Sequence, residues 1–372
     1  MTIAPEILKH YPDLNEAQRR VIAHQEGPLL VIAGPGSGKT YSIVLRALNL
    51  LLLGKAEPSQ MVLCTFTEKA AFEMRDRIAA AARRVAFEND LSELHVTTIH
   101  GLCNRFIHRH RHHSPTRQII TKHSTRLDPA TFHFEHFDKL SEPPENDRFL
   151  HRWKTKWTAI EGARNYFDKI TEELVEIDQL AGSADPFLRS IAGSYRAYES
   201  ALYQNNRVDF AHLQRIAYDL LADKTLCDDL TKDIRYVLVD EYQDTNTVQE
   251  QLLLKLTEHS GNLCVVGDED QSLYRFRGAT VRNILEFPTR FSRVPGDQAD
   301  PQLPCRHCES LNDTTAGWLP STGPTPRGPP SVTTKPSNPL LTVCIRSIRP
   351  SSASGAGTIA MKPNALQIWQ PS

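Results

Sequence analysis

Residues 33–40 read Ala-Gly-Pro-Gly-Ser-Gly-Lys-Thr directly after the apolar run Leu29-Leu30-Val31-Ile32. A strand feeding a glycine-rich loop that opens a helix is the order of parts that lets backbone wrap around a triphosphate. Gly34, Gly36 and Gly38 can take positive φ and turn successive N–H groups inward as an anion-binding nest. Lys39 adds a point charge at the β/γ-phosphates, and Thr40 places a hydroxyl where a Mg²⁺ would sit. Residues 41–53 continue as an apolar helix whose N-terminus faces the phosphates and which stops at Gly54. The strict pattern has glycine where Ala33 stands, so the match is to its relaxed form. Ala33, Gly34, Pro35, Gly36, Ser37, Gly38, Lys39 and Thr40 are the expected nucleotide contacts.

Five short apolar runs have parallel-strand character: 29–33, 61–65, 95–99, 236–240 and 263–267. They carry few alternating polar residues, as expected of strands covered by helices on both faces. The first ends in the phosphate loop and the second in Phe66-Thr67-Glu68-Lys69. The third ends in His100-Gly101, the fourth in Asp240-Glu241, and the fifth in Asp268-Glu269-Asp270-Gln271. Ligands of open α/β sheets bind beyond the carboxyl ends of the strands, so these five ends are expected to converge on one site.

Asp240 and Glu241 are the second chemical element. Phosphoryl transfer to water needs a carboxylate to hold Mg²⁺ and a group to orient the attacking water, and a strand ending Val237-Leu238-Val239-Asp240-Glu241 offers both. Between the third and fourth strands lie about a hundred residues with helical spacing. Asp185-Pro186 is a cap with proline at the first helical position. Phe187, Ile191, Tyr195, Tyr198 and Leu202 then recur at helical intervals.

Composition limits the partners. A formal net charge of -1 over 372 residues gives no global basic field, so nucleic-acid contacts must come from local patches. The N-terminus has Glu6, Lys9 and Asp13 and no apolar h-region, and the apolar run near residues 50–53 is too short to span a bilayer. Seven irregularly spaced cysteines read as buried thiols in a reducing compartment, which implies a cytoplasmic protein without a membrane partner.

At this point the chain resembles the N-terminal half of a superfamily I DNA helicase of the UvrD/Rep type. Leu14-Asn15-Glu16-Ala17-Gln18 resembles the family's adenine-reading motif, with Gln18 as the glutamine. Cys64-Thr65-Phe66-Thr67-Glu68-Lys69-Ala70-Ala71 and Thr98-Ile99-His100-Gly101 resemble its two single-strand-contacting segments. Asp240-Glu241-Tyr242-Gln243-Asp244-Thr245 resembles its Walker B motif. Gly267-Asp268-Glu269-Asp270-Gln271-Ser272-Leu273-Tyr274, followed by Phe276-Arg277-Gly278-Ala279, resembles the segment linking ATP to DNA.

The resemblance implies a RecA-like P-loop NTPase using ATP and Mg²⁺, with Lys39, Asp240, Glu241 and Gln271 catalytic and Thr40 and Asp240 on the metal. Phe66, Thr67, His100, Tyr274, Phe276 and Arg277 would contact DNA, the aromatic rings by stacking on bases of any sequence. Family members usually carry tryptophan where Phe276 stands. The implied activity is 3′-to-5′ unwinding driven by ATP hydrolysis that single-stranded DNA stimulates. Its substrate would be single-stranded DNA or a duplex with a 3′ tail.

The histidines at 108, 110, 112 and 113 sit among Arg105, Arg109 and Arg111 and read as a basic, DNA-facing helix rather than a metal site. Cys305 and Cys308 form one unmatched pair and imply no cluster. After about residue 291 the pattern departs from the family: more than half of the 24 prolines lie beyond it, and no acidic residue follows Asp313. The favoured reading is a shifted reading frame near residues 290–300, and the other frames of the coding DNA test it.

The expectation is an α/β fold. Residues 1–108 and 225–290 form a RecA-like parallel-sheet domain, 109–224 an inserted helical subdomain, and 291–372 an irregular, disordered tail. Two other functions stay open: a small-molecule P-loop kinase, and a catalytically defective chain that only binds ATP and single strands. On the truncated reading the chain alone would bind Mg-ATP weakly, hydrolyse it near background and separate no strands.

Overall fold

The computed structural model describes residues 2–34, 36–110, 129–136, 153, 155–268, 282–291 and 346–347. Five parallel strands form its centre: β1 (Leu29–Ile32), β2 (Met61–Thr65), β3 (His95–Thr98), β4 (Tyr236–Val239) and β5 (Leu263–Gly267). Their order across the sheet is β3-β2-β4-β5-β1. Leu29 lies opposite Cys264, Val62 opposite His95 and Val237, and Val237 opposite Leu263. Beyond β1, Arg346–Ser347 pairs antiparallel to Leu30 and Leu29, although composition alone assigns the tail no strand. An edge strand with open N–H and C=O groups templates such pairing.

Alternation along each strand splits the core into two layers. Leu29, Val31, Met61, Leu63, Val96, Leu238, Cys264 and Val266 face α2 (Glu16–Ala23), α3 (Lys39–Leu52) and α4 (Glu68–Arg84). Leu30, Val62, Cys64, Val237, Val239, Leu263 and Val265 face the other way. There they meet α5 (Ile99–Arg109), α10 (Phe210–Leu220), α11 (Lys224–Thr231), α12 (Thr247–Leu256) and α13 (Arg282–Phe291). Burying each such aliphatic side chain contributes about 1.5–3 kcal/mol, which explains the uninterrupted apolar runs.

A separate core lies among α6 (Pro129–Glu135), α7 (Lys156–Glu172), α8 (Ile177–Ala181) and α9 (Pro186–Gln204). Phe132, Ala163, Phe167, Ile170, Leu180, Ile191, Tyr195, Tyr198 and Leu202 fill it. Asp185 caps α9 by accepting from the Phe187 N–H at 2.9 Å, with Pro186 at the first position. The cap and the four-four-three-four spacing of the apolar stripe thus locate this helix from sequence. Phe187 is only partly buried at its outer end.

A polar spine joins α3 to α1 (Pro5–His10) and α2. Arg46 is fully buried, and its Nη1 donates to the carbonyls of Val21 and His24 at the end of α2. Asn49 Nδ2 donates to Ile22 O at 2.9 Å, and Asn49 Oδ1 accepts from Ala4 N at 2.8 Å. These bonds satisfy helix-end carbonyls that would otherwise be buried without partners. Burial, helped by the Arg46 charge, lowers His24 to about 4, so this ring stays neutral. No helix of the described residues is long and apolar enough to cross a membrane.

Candidate nucleotide and strand-binding site

The phosphate loop takes its shape from two glycines. Gly36 has φ +72° and Gly38 φ +84°, while Gly34 stays outside the left-handed region, so two of the three glycines supply the turns. Ser37 Oγ donates to Gly34 O at 2.6 Å and tightens the loop. Helix α3 starts at Lys39, two residues before the apolar stretch suggested, because left-handed Gly38 serves as its N-cap. Gln18 reaches this loop from α2: its Oε1 accepts from Asn15 N, its Nε2 donates to Ser37 O at 3.4 Å, and a Cβ on Gly38 would lie 3.0 Å from that amide nitrogen.

The ends of β1, β4 and β5 bring the charged groups together. Lys39 and Asp268 are 9% and 5% exposed at their side chains, with Nζ 3.6 Å from Asp268 Oδ2. The Lys39 ammonium makes no hydrogen bond among the described residues, which suits a cation aimed at an anionic ligand. Thr40 Oγ1 donates to Asp240 Oδ2 at 2.7 Å. Burial pushes the Asp240 carboxyl up, while the Thr40 bond and the Lys39 charge oppose the rise. A hydroxyl and a carboxylate converging beside a buried lysine fit a Mg²⁺ held next to a phosphate chain.

Glu241 adopts a left-handed backbone, φ 56°, unusual for a residue with a side chain. Its Oε2 accepts from Gln243 Nε2 at 2.6 Å, and Gln243 Oε1 accepts from the Asp268 N–H at 3.0 Å. Gln243 therefore links the end of β4 to the end of β5. A Cβ on Gly267 would meet Gln243 Oε1 at 2.7 Å and Ile284 Cδ1 at 2.9 Å, so this close approach needs glycine. Asp244 lies beside the same charges, and burial together with Glu241 pushes it up to about 6.

On the other side of β4 the ends of β2 and β3 are tied together. Phe66 is half-buried, and Thr67 caps α4 by accepting from Ala70 N at 3.1 Å. Thr98 Oγ1 accepts from Gly101 N and donates to Glu68 Oε1 at 2.8 Å. His100 meets the ring of Phe210 edge-on at 5.5 Å, and Phe210 is 57% exposed at the start of α10. Phe210 and Gln243 join the site without having been singled out by motif reasoning. Phe210 is in phase with the core positions Leu213, Ala217 and Leu220, and that periodicity hides its exposure.

The row of cations on α5 is partly neutralised. Arg109 lies 3.8 Å and His110 3.4 Å from Asp229 Oδ2, and Arg105 bonds His95 Nδ1 at 2.6 Å. The described residues hold no cluster of three or more metal-ligating side chains. Cys64, Cys103, Cys227 and Cys264 are buried free thiols, and burial pushes Cys64 up to about 12. Pro35, His112, His113, Gln271, Tyr274, Phe276, Arg277, Cys305 and Cys308 lie outside the described residues.

The family described as UvrD/REP helicase N-terminal domain matches residues 14–292. The ATP-dependent DNA helicase UvrD1 of Mycobacterium leprae is 31% identical over 296 residues, a match covering 74% of this chain and 35% of that protein. The ATP-dependent DNA helicase PcrA of Bacillus subtilis is 32% identical over 278 residues, with the same 74% and 35% coverage. PcrA of Leuconostoc citreum is 33% identical over 282 residues, again covering 74% and 35%. The chain thus spans about a third of the length of these relatives.

Proposed function

The chain belongs to the UvrD/REP helicase N-terminal domain family, and on that premise we propose that it carries the ATP-binding half of a DNA-unwinding motor that moves 3′ to 5′ along single-stranded DNA. The observation that carries this reading is the convergence of Lys39, the Thr40–Asp240 pair and Asp268 at one edge of the sheet, beside the paired ends of β2 and β3. Lys39 binds the β/γ-phosphates of ATP, with Gly36, Ser37 and Gly38 presenting backbone N–H groups around them. Gln18 reads the adenine edge from α2.

Thr40 and Asp240 would hold Mg²⁺, which supplies charge neutralisation on the β- and γ-phosphates. Glu241 orients the attacking water and takes its proton on a carboxylate oxygen, while Gln243 holds that carboxylate in place. Hydrolysis releases ADP and inorganic phosphate. Gln271 follows Asp268 closely in the chain and would sense the γ-phosphate.

Phe66, Thr67, His100 and Phe210 form the strand-contacting face, with Tyr274, Phe276 and Arg277 as further contacts. Stacking on aromatic rings is worth about 1–3 kcal/mol per base and reads no sequence, as a motor on any strand requires. The buried free thiols Cys64, Cys103, Cys227 and Cys264 support a cytoplasmic setting.

The test is ATP hydrolysis and nucleotide affinity of the purified chain with and without oligothymidylate, followed by strand displacement on duplexes with a 3′ or a 5′ tail. Oligothymidylate should raise hydrolysis, and any displacement should favour the 3′ tail. Nucleotide affinity and turnover indifferent to single-stranded DNA would refute the reading.

A further inference from the structure

Gln214 lies on α10 with no exposed surface, and its neighbours determine which amide atom is which. Its Nε2 is 3.1 Å from the Phe210 carbonyl, a group that can only accept, so this atom is the N–H donor. Its Oε1 accepts from Asn246 Nδ2 at 3.3 Å. Asn246 is oriented in turn, because its Oδ1 accepts from the Gln249 N–H at 2.9 Å. Backbone groups at both ends thus set the direction of every bond in the chain of amides. The remaining partner of Gln214 Nε2 is His100 Nε2, at 3.0 Å. An amide donor leaves that ring nitrogen only the part of acceptor.

We propose that Gln214 is a positioning residue that holds His100 as the neutral Nδ1–H imidazole, so that His100 offers a DNA strand one hydrogen-bond donor at Nδ1 in place of a positive charge. The proposal rests on the reading of His100 as a strand contact and gives that contact its chemistry. Phe210 holds the ring edge-on at 86° between planes, which fixes its orientation as Gln214 fixes its tautomer.

The groups packed on the ring agree. From α10 come Phe210 and Gln214, both uncharged, and from α4 comes Glu68, whose carboxylate is already bonded to Thr98 Oγ1. Burial lowers the ring's proton affinity more than Glu68 raises it. Through Asn246 the amide chain ends at the N-cap of α12, six residues beyond Asp240, so the donor is anchored to the segment that carries the candidate carboxylates.

The measurement is nitrogen-15 NMR of histidine-labelled full-length chain, with the His100 signals assigned by their loss in His100→Gln. At neutral pH the expected pattern is a protonated Nδ1 and an unprotonated Nε2, with the ring taking up a second proton only at lower pH than an ordinary histidine. A protonated Nε2 or an imidazolium at neutral pH overturns the proposal. Gln214→Leu removes the donor and should weaken oligothymidylate binding about fivefold. Gln214→Glu replaces the donor by a charged acceptor, so His100 should become an imidazolium with both ring nitrogens protonated, and oligothymidylate binding should change although the pair adds no net charge. Binding unchanged in both variants, with the ring signals altered, would overturn the role in positioning the strand contact. If the wild-type chain shows the expected tautomer but does not bind oligothymidylate, the strand-contact reading fails and the tautomer assignment stands.

Discussion

Glu172 closes α7 where it meets the N-terminus of α12. Burial, reinforced by Asp168 one turn earlier, pushes its carboxyl up from 4.5 to about 8, against the opposing pull of Lys169 and a hydrogen bond from Asn246. An acid that holds its proton more tightly folded than unfolded costs stability as pH rises from the unfolded value, and the cost levels off above the folded one. At pH 7 the chain sits roughly 2.5 pH units into that window, and at about 1.4 kcal/mol per unit the cost is about 3.4 kcal/mol. Halving this for the solvent that Glu172 still touches leaves about 1.7 kcal/mol. Glu172→Gln keeps the side chain's shape and an acceptor for Asn246 while removing the titration. Thermal unfolding followed by far-UV circular dichroism should then show the variant melting higher by about 3–7 °C near pH 7.5, with a gap of about 1–2 °C near pH 5. An equal gap at both pH values, or a variant that melts lower near pH 7.5, would refute the reasoning.

Three other outcomes follow from the candidate site. Lys39→Ala should abolish binding of a fluorescent ATP analogue, since the loop loses its cation, while oligothymidylate binding persists; equal loss of both would mean that the domain had unfolded. Glu241→Gln should leave Mg-ATP affinity within about twofold, because the proposed metal carboxylate is Asp240, and remove hydrolysis, as a phosphate-release assay would report. Phe210→Ala should weaken binding to single strands of any sequence by about 1–3 kcal/mol in an anisotropy titration and leave the melting temperature within about a degree, because the ring is largely exposed; the reverse pattern would place the ring in the core.

How much of this was legible in the sequence differs from element to element. The second and fifth strands have their expected bounds, because buried parallel strands announce themselves as unbroken apolar runs. The third and fourth end one residue early, since Ile99 already opens a helix capped by Thr98 and Asp240 turns away to meet Thr40. Strand-end reasoning put Lys39, Thr40, Asp240 and Asp268 along one edge, where they lie within ion-pair or hydrogen-bond reach. Gln214 was not legible. A polar residue on an amphipathic helix reads as solvated, and what buries it are residues 114 and 32 positions away, contacts that local periodicity does not encode. Gln243 was visible only as a letter inside a motif; its part emerges from its close approach to Gly267, where an added Cβ would lie 2.7 Å from Gln243 Oε1.

The guanidinium of Arg46 and the amide of Asn49 weld the helix that follows the glycine loop to the helix that carries Gln18. Gln18 and the glycine loop it bonds are therefore carried by two helices locked to each other, so a motion that moves one moves both. For protein engineering, α2 and α3 are best exchanged together, since Arg46 and Asn49 of α3 end on backbone carbonyls at the end of α2 and depend on its placement.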